Sequence, residues 1–244
     1  MTPEFANLPQ LLPLPRRTAC ADGVLTLPAD GLILLEAPLA QDLLGAAQSL
    51  QTALRESCGR AWPLVAGDAG IGSAFVIALN LVPGSTPQPE GYTLTITQAR
   101  VDAVASTPAG LFYAVQTLRQ IAAAADANWP LLRIDDAPAF ANRGVMLDVS
   151  RNRVPTMETL FGLVDLFASL KFNQLQLYTE HTFAYGNHPE VWEHASPMTG
   201  EEILALDAYC RARFIELVPN QNTFGHMRPW LTQARSRDLA EAPD

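Results

Sequence analysis

Arg143-Gly144-Val145-Met146-Leu147-Asp148-Val149-Ser150-Arg151 is an apolar run that closes on an acidic residue, a hydroxyl and a guanidinium. Gly144 to Val149 shows no polar alternation, which predicts a parallel strand covered on both faces. The chain beyond Arg151 repeats this unit. Met157 to Leu170 carries Met157, Leu160, Val164 and Phe167 at helical spacing. Gln174 to Tyr178 reads as a second strand. Thr199 and Glu202 form a capping box, with the Thr hydroxyl and the Glu carboxylate each taking a free backbone N–H, and so start a helix through Arg213. Phe214 to Pro219 reads as a third strand. Strand, helix, strand, helix, strand is the repeat of a parallel α/β fold. Roughly 100 residues come after Phe140, whereas a complete (β/α)8 barrel takes about 250. The segment is thus either a small open sheet or the first three βα units of a truncated TIM barrel, and the polar tail after Trp230 favours the second.

Upstream the pattern differs. The first few residues, rich in Pro and Leu, read as an irregular lead-in. Gly23 to Leu27 and Leu32 to Leu35 read as short strands around a turn at Pro28 to Gly31. Pro38 is placed to open a helix whose stripe is Leu43, Leu44, Ala47, Leu50 and Leu54 and which stops near Cys58-Gly59. Phe75 to Leu79 is short and wholly apolar, as in a buried strand. Gly91 to Thr97 alternates Tyr92, Leu94 and Ile96 with threonines, the signature of a half-buried strand, and Val101 to Ala105 is its hairpin partner. Thr107 caps a helix with Pro108 in its first turn and Leu111, Phe112, Val115, Leu118 and Ile121 on its buried face. That helix runs out in the alanines before Trp129-Pro130, and Asp135 to Phe140 reads as a linker. The expected domains are therefore 1–137 and 138–244.

Bulk properties exclude several classes. The 244 residues are 48% hydrophobic with a net charge of −9, and no predicted element gathers Lys and Arg. That argues against a nucleic-acid footprint and against an anionic membrane surface. No apolar run of about 18 residues exists, so no membrane span is expected. The start lacks the basic and apolar regions of a signal peptide, which makes a cytoplasmic protein the default. Cys20, Cys58 and Cys210 are scattered and odd in number, which fits neither a disulfide framework nor a structural zinc site.

Two stretches carry a family resemblance. Glu90-Gly91-Tyr92-Thr93-Leu94 through Gly110-Leu111-Phe112-Tyr113-Ala114-Val115-Gln116-Thr117-Leu118-Arg119-Gln120 resembles the end of the N-terminal zincin-like domain of glycoside hydrolase family 20. Arg143 to Arg151 resembles the opening strand of that family's catalytic barrel. Lys171-Phe172-Asn173 before the second strand, and Pro219 to His226 against the family's Pro-Glu-Ile-Asp-x-Pro-Gly-His segment, keep the same spacing. The resemblance implies an enzyme of β-N-acetylhexosaminidase type. Such enzymes remove terminal β-linked N-acetylhexosamine by a substrate-assisted retaining route in which the sugar's own acetamido oxygen attacks the anomeric carbon. It implies a glycan partner and no cofactor.

Residue by residue, Arg151 matches the Arg that grips sugar hydroxyls, a task suited to a planar fork of donors at a strand's carboxyl end. Glu180 stands where the family has the first Asp of an Asp-Asp pair that works with a His, and His181 replaces the second. His226 matches that His. Asn220 and Asn222 replace a Glu and an Asp, and Phe224 a Pro, so this stretch is less acidic than the family's. Tyr178, Tyr185 and Trp192 are candidates to stack on sugar faces, equally open to a packing role. His181, His188 and His194 with Glu180, Glu190 and Glu193 are too irregularly spaced for a zinc set, and no His-Glu-x-x-His occurs.

The family's catalytic Asp-Glu pair lies after its fourth strand, and no Asp-Glu dipeptide occurs in this sequence. The chain is therefore expected to be inactive by itself. Two other readings stay open: a non-catalytic carbohydrate-binding module, and a barrel glycosidase for another sugar. An incomplete barrel also exposes a strand edge, which predicts self-association.

Overall fold

The computed structural model describes residues 10–67, 72–151 and 153–242, so the lead-in expected from Met1 falls partly outside them. The chain divides into two compact units, residues 1–141 and 142–244.

In the first unit, strands β1 (Arg17–Thr26), β2 (Gly31–Glu36), β3 (Leu64–Ala66), β4 (Phe75–Leu81), β5 (Tyr92–Ile96), β6 (Val101–Ala105) and β7 (Asn128–Asp136) form one sheet in the order β1-β7-β5-β6-β4-β2-β3. Helices α1 (Leu44–Cys58) and α2 (Pro108–Ala125) pack on each other, α2 over β4 to β7 and α1 over β2 and β3. The β5–β6 hairpin forms as its alternation requires, with Tyr92, Leu94 and Ile96 buried and the threonines between them half-buried. Thr107 accepts a hydrogen bond from Gly110 N at 3.2 Å, the expected cap. Gly110 is glycine for a steric reason: a Cβ there would lie 2.5 Å from Gly91 O and 2.8 Å from the Ala105 Cβ. Its absence lets the first turn of α2 rest directly on the hairpin.

The structure corrects four expectations. Asn128 to Asp136 form β7, seated between β1 and β5, so Asp135 and Asp136 close a strand where a linker over Asp135 to Phe140 was expected. Pro130 is tolerated because its register partner is Val24 of β1, while β5 reaches β7 only from Leu132 onward. The acidic pair that reads as loop is tied down instead: Thr93 Oγ1 donates to Asp135 at 2.8 Å and Tyr92 OH to Asp136 at 2.9 Å. Secondly, Pro38 does not open α1; a short 3-10 turn over Ala40–Leu43 leads into the helix.

In the second unit β8 (Gly144–Asp148), α3 (Met157–Ser169), β9 (Gln174–Thr179), the single turn α4 (Pro189–Trp192), α5 (Gly200–Arg211), β10 (Glu216–Gln221) and the single turn α6 (Arg228–Leu231) succeed one another. The three strands are parallel and lie side by side in sequence order, as in the opening of a barrel. The capping box at Thr199 and Glu202 is present.

The third corrected expectation is the burial of β8. The strand alternates, with Gly144, Met146 and Asp148 exposed and Val145 and Leu147 half-buried. It is an edge strand, and among the described residues one face of the sheet stays uncovered, leaving Met146 59% exposed. The third strand also begins two residues later than its apolar run. Phe214 takes a left-handed φ of 57° and Ile215 N bonds back to Cys210 O, so Phe214 belongs to the helix exit. Lys171 makes the same left-handed exit after α3, with a φ of 61°.

Candidate active site

Parallel strands in register bring their carboxyl ends to one rim, and Asp148, Tyr178 and Asn220 share one row there. Residues just past that rim face one another although they are far apart in sequence. Glu180, the first residue after β9, is 5% exposed. Its backbone is held on both sides. Its N–H donates to Ser150 Oγ at 2.8 Å, and its carbonyl accepts from Gln221 Nε2 at 3.0 Å and Trp230 Nε1 at 2.8 Å. Ser150 is fixed in turn by its own N–H to Asp148 Oδ1 at 2.8 Å.

The Glu180 carboxylate meets three groups at one oxygen. Arg151 Nη1 donates to it, Tyr178 OH donates at 2.9 Å, and His226 Nδ1 stands 3.8 Å away. Arg151 also reaches Asp148 at 3.4 Å and lies 5.8 Å from the Tyr178 ring centroid, with 53% of its side chain in solvent. Burial pushes the Glu180 acid up, but the Arg151 bond, the Tyr178 bond and the charges of Arg151 and His226 outweigh it. The carboxyl is held below its ordinary range. Glu180 is thus a buried, ionised acceptor clamped between a cation and a phenol.

The loop after β10 completes the cluster. Asn222 Nδ2 donates to Tyr178 OH at 2.6 Å, while its Oδ1 accepts from the N–H groups of Phe224 and Gly225, both at 3.1 Å. His226 closes that turn with a φ of 55°. Arg151, Tyr178, Glu180 and His226 therefore lie together at the rim. Trp192 does not join them by any described bond; its indole N–H donates to Tyr185 O at 2.9 Å and braces the α4 loop. Tyr185 instead packs on Trp230, with ring centroids 5.1 Å apart, and its hydroxyl bonds Gln221. Ser150, Gln221 and Trp230 hold the cluster and were not singled out from sequence. The one usable signal was the Asp148-Val149-Ser150 spacing, which suits a turn in which Asp148 accepts the Ser150 N–H.

Among the described residues no three His, Cys, Asp or Glu side chains gather as metal ligands. His188 and His194 each lie near a neighbour in sequence, Glu190 at 3.8 Å and Glu193 at 3.6 Å. No described helix is long and apolar enough to cross a membrane. A cavity of about 500 Å³ lined by Arg228, Leu231, Thr232 and Arg237 shares no residue with the Glu180 cluster, which lies on an open rim.

This geometry gives an α/β chain with a polar, charge-paired cluster at the carboxyl rim of parallel strands, and comparison with known proteins shows the family of that fold. The family model for "Glycosyl hydrolase family 20, domain 2" matches residues 8–137, and that for "Glycosyl hydrolase family 20, catalytic domain" matches residues 140–242. A beta-hexosaminidase of Porphyromonas gingivalis is 26% identical over 92% of this chain and 31% of its own length. A beta-N-acetylhexosaminidase of Cellulomonas fimi is 36% identical over 44% of this chain and 22% of its own length. The Streptomyces plicatus N-acetyl-beta-hexosaminidase, solved in complex with Thio-NAglucal, shares the fold with a TM-score of 0.78 at 24% identity, over 93% of this chain and 48% of that one. The chain belongs to glycosyl hydrolase family 20. It spans about a third of the length of the first of these relatives and about half of the solved structure.

Proposed function

We propose that these residues form one wall of the sugar site of a β-N-acetylhexosaminidase, with 1–137 as the zincin-like accessory domain and 138–244 as the first part of the catalytic barrel. The observation that carries this reading is the convergence of Arg151, Tyr178 and His226 on one buried carboxylate at the strand rim, where barrel enzymes keep their chemistry. Arg151 gives one N–H to Glu180 and keeps further donors, half in solvent, for the hydroxyls of a terminal N-acetylhexosamine. Glu180 fixes the direction of Arg151 and sets a negative field at the rim, and His226 shares that field. The proton donor and the carboxylate that orients the acetamido group are roles for an Asp-Glu pair, which this sequence does not contain. In this reading the 244 residues position sugar and do not cleave it.

The test is hydrolysis of a chromogenic β-N-acetylglucosaminide by this chain and by a chain extended through an Asp-Glu pair. Activity only in the extended chain, lost in its R151A variant, supports the reading. Activity in the 244 residues alone overturns the placement of the acid. A second reading, a glycosidase for another sugar, is favoured by one observation: Asn222, where the family has Asp, is engaged by Tyr178 and by its own turn. Silence of both chains toward N-acetylglucosaminides with cleavage of a different glycoside would select it. The exposed edge of β8 makes a second copy a further partner in this reading, checked by light scattering.

A further inference from the structure

Phe224 is 101% exposed, at the apex of the turn that carries the site. Single exposed apolar side chains are common on protein surfaces and by themselves need no explanation. Two features set this one apart. The turn beneath it is built: the Asn222 side chain takes the N–H of both Phe224 and Gly225, and His226 comes next in a left-handed conformation. Both ends of that turn also belong to the cluster, since Asn222 bonds Tyr178 and His226 stands 3.8 Å from Glu180. A phenyl ring is thus held in solvent on a turn whose two ends belong to the cluster. The resemblance gives no ring here, because the family's pattern has Pro at this position.

Resting on the reading of the site as a hexosamine site, we propose that Phe224 is a stacking platform for the second sugar of a β-linked oligosaccharide, next to the terminal residue addressed by Arg151. Arginine, carboxylate, phenol and imidazole suit hydroxyl and amide groups, whereas a phenyl ring makes no conventional hydrogen bond. What it offers is a flat apolar face, matched by the C–H face of a pyranose. Recognition sites of this kind use a few polar groups to orient a ligand and apolar area to hold it. Phe224 sets preference for chain length, not for the terminal sugar.

The test is ligand-observed NMR titration of the 244-residue chain with N-acetylglucosamine, its β-1,4-linked disaccharide and p-nitrophenyl N-acetylglucosaminide. The disaccharide is expected to bind more tightly than the monosaccharide. F224A, at a fully exposed position, is expected to lower the disaccharide-to-monosaccharide affinity ratio about fivefold, the size of an aromatic contact, and F224W to restore it. An unchanged ratio in F224A overturns the proposal. A loss confined to the nitrophenyl glycoside overturns its assignment to a sugar. R151A should weaken every ligand while keeping the ratio. If R151A changes nothing while F224A lowers the ratio, it is the reading of the polar site that fails.

Discussion

Replacing Glu180 by Gln keeps the shape of the side chain and removes its charge, which isolates the centre of the cluster. In the folded chain the carboxylate accepts from Arg151 and from Tyr178, with His226 nearby. Hydrogen bonds to a charged group contribute about 1.5–3 kcal/mol, against about 1 kcal/mol for neutral ones, so each of the two bonds loses on the order of 1 kcal/mol. Arg151 is half in solvent, and screening reduces its share. A neutral amide also costs less to bury than a carboxylate, a partial offset. The net loss is about 1–2 kcal/mol, or a fall in Tm of roughly 4–8 °C per kcal/mol for a unit of this size. The pH dependence carries the sharper information. The folded-state pKa of Glu180 lies below its ordinary value, so ionisation favours the fold. That contribution is complete above the ordinary carboxylate range near pH 4.3 and is lost as pH falls through the lower folded value. Urea unfolding monitored by tryptophan fluorescence, from pH 7 down to pH 3, should show a gap between wild type and E180Q that closes on acidification. A gap that stays constant with pH, or none at pH 7, refutes the claim that an ionised Glu180 organises the rim.

Gly110→Ala should destabilise the first unit by about 1–3 kcal/mol in thermal unfolding, because the added methyl meets backbone and Cβ atoms that cannot rotate away. Gly162→Ala is the matched control: it lies inside α3 with nothing within 4 Å of an added Cβ, and it should stabilise by about 0.5–1 kcal/mol. Burial, aided by the charge of Asp207, pushes the Cys210 thiol up to about 11. In native protein at pH 8, mass spectrometry after brief alkylation should find exposed Cys20 modified and Cys210 unmodified until the chain unfolds.

The β5–β6 hairpin and the start of α2 were legible because their signals are local: alternation, a capping threonine and a proline within a few residues of where they act. β7 was not, because a proline and two aspartates read as breakers until their partners are known, and those partners are Val24, Thr93 and Tyr92, far away in sequence. The covered-face reading of β8 failed for a related reason. An apolar run reports how well a strand can be buried, while what covers it depends on the rest of the sheet. At the rim, Arg151 and Glu180 meet because strand ends in a parallel sheet share one side, whereas the roles expected of them came from the family resemblance. Trp230, which reaches Glu180 across 50 residues, left no local trace.

The departures from the family pattern are consistent with one another. Asn222 uses its carbonyl oxygen for two backbone N–H groups, which leaves its amide to donate to Tyr178. With that donor at its oxygen, the Tyr178 hydroxyl turns its own proton to Glu180. A carboxylate at position 222 would have no proton to offer and would compete for the Tyr178 hydroxyl, taking a hydrogen bond from the buried Glu180. Asn at 222 and a buried acid at 180 therefore form one directed chain, amide to phenol to carboxylate, which ends on the group that orients Arg151. With Asn at 220 and 222, this loop adds no carboxylate to compete with Glu180 for the Tyr178 proton.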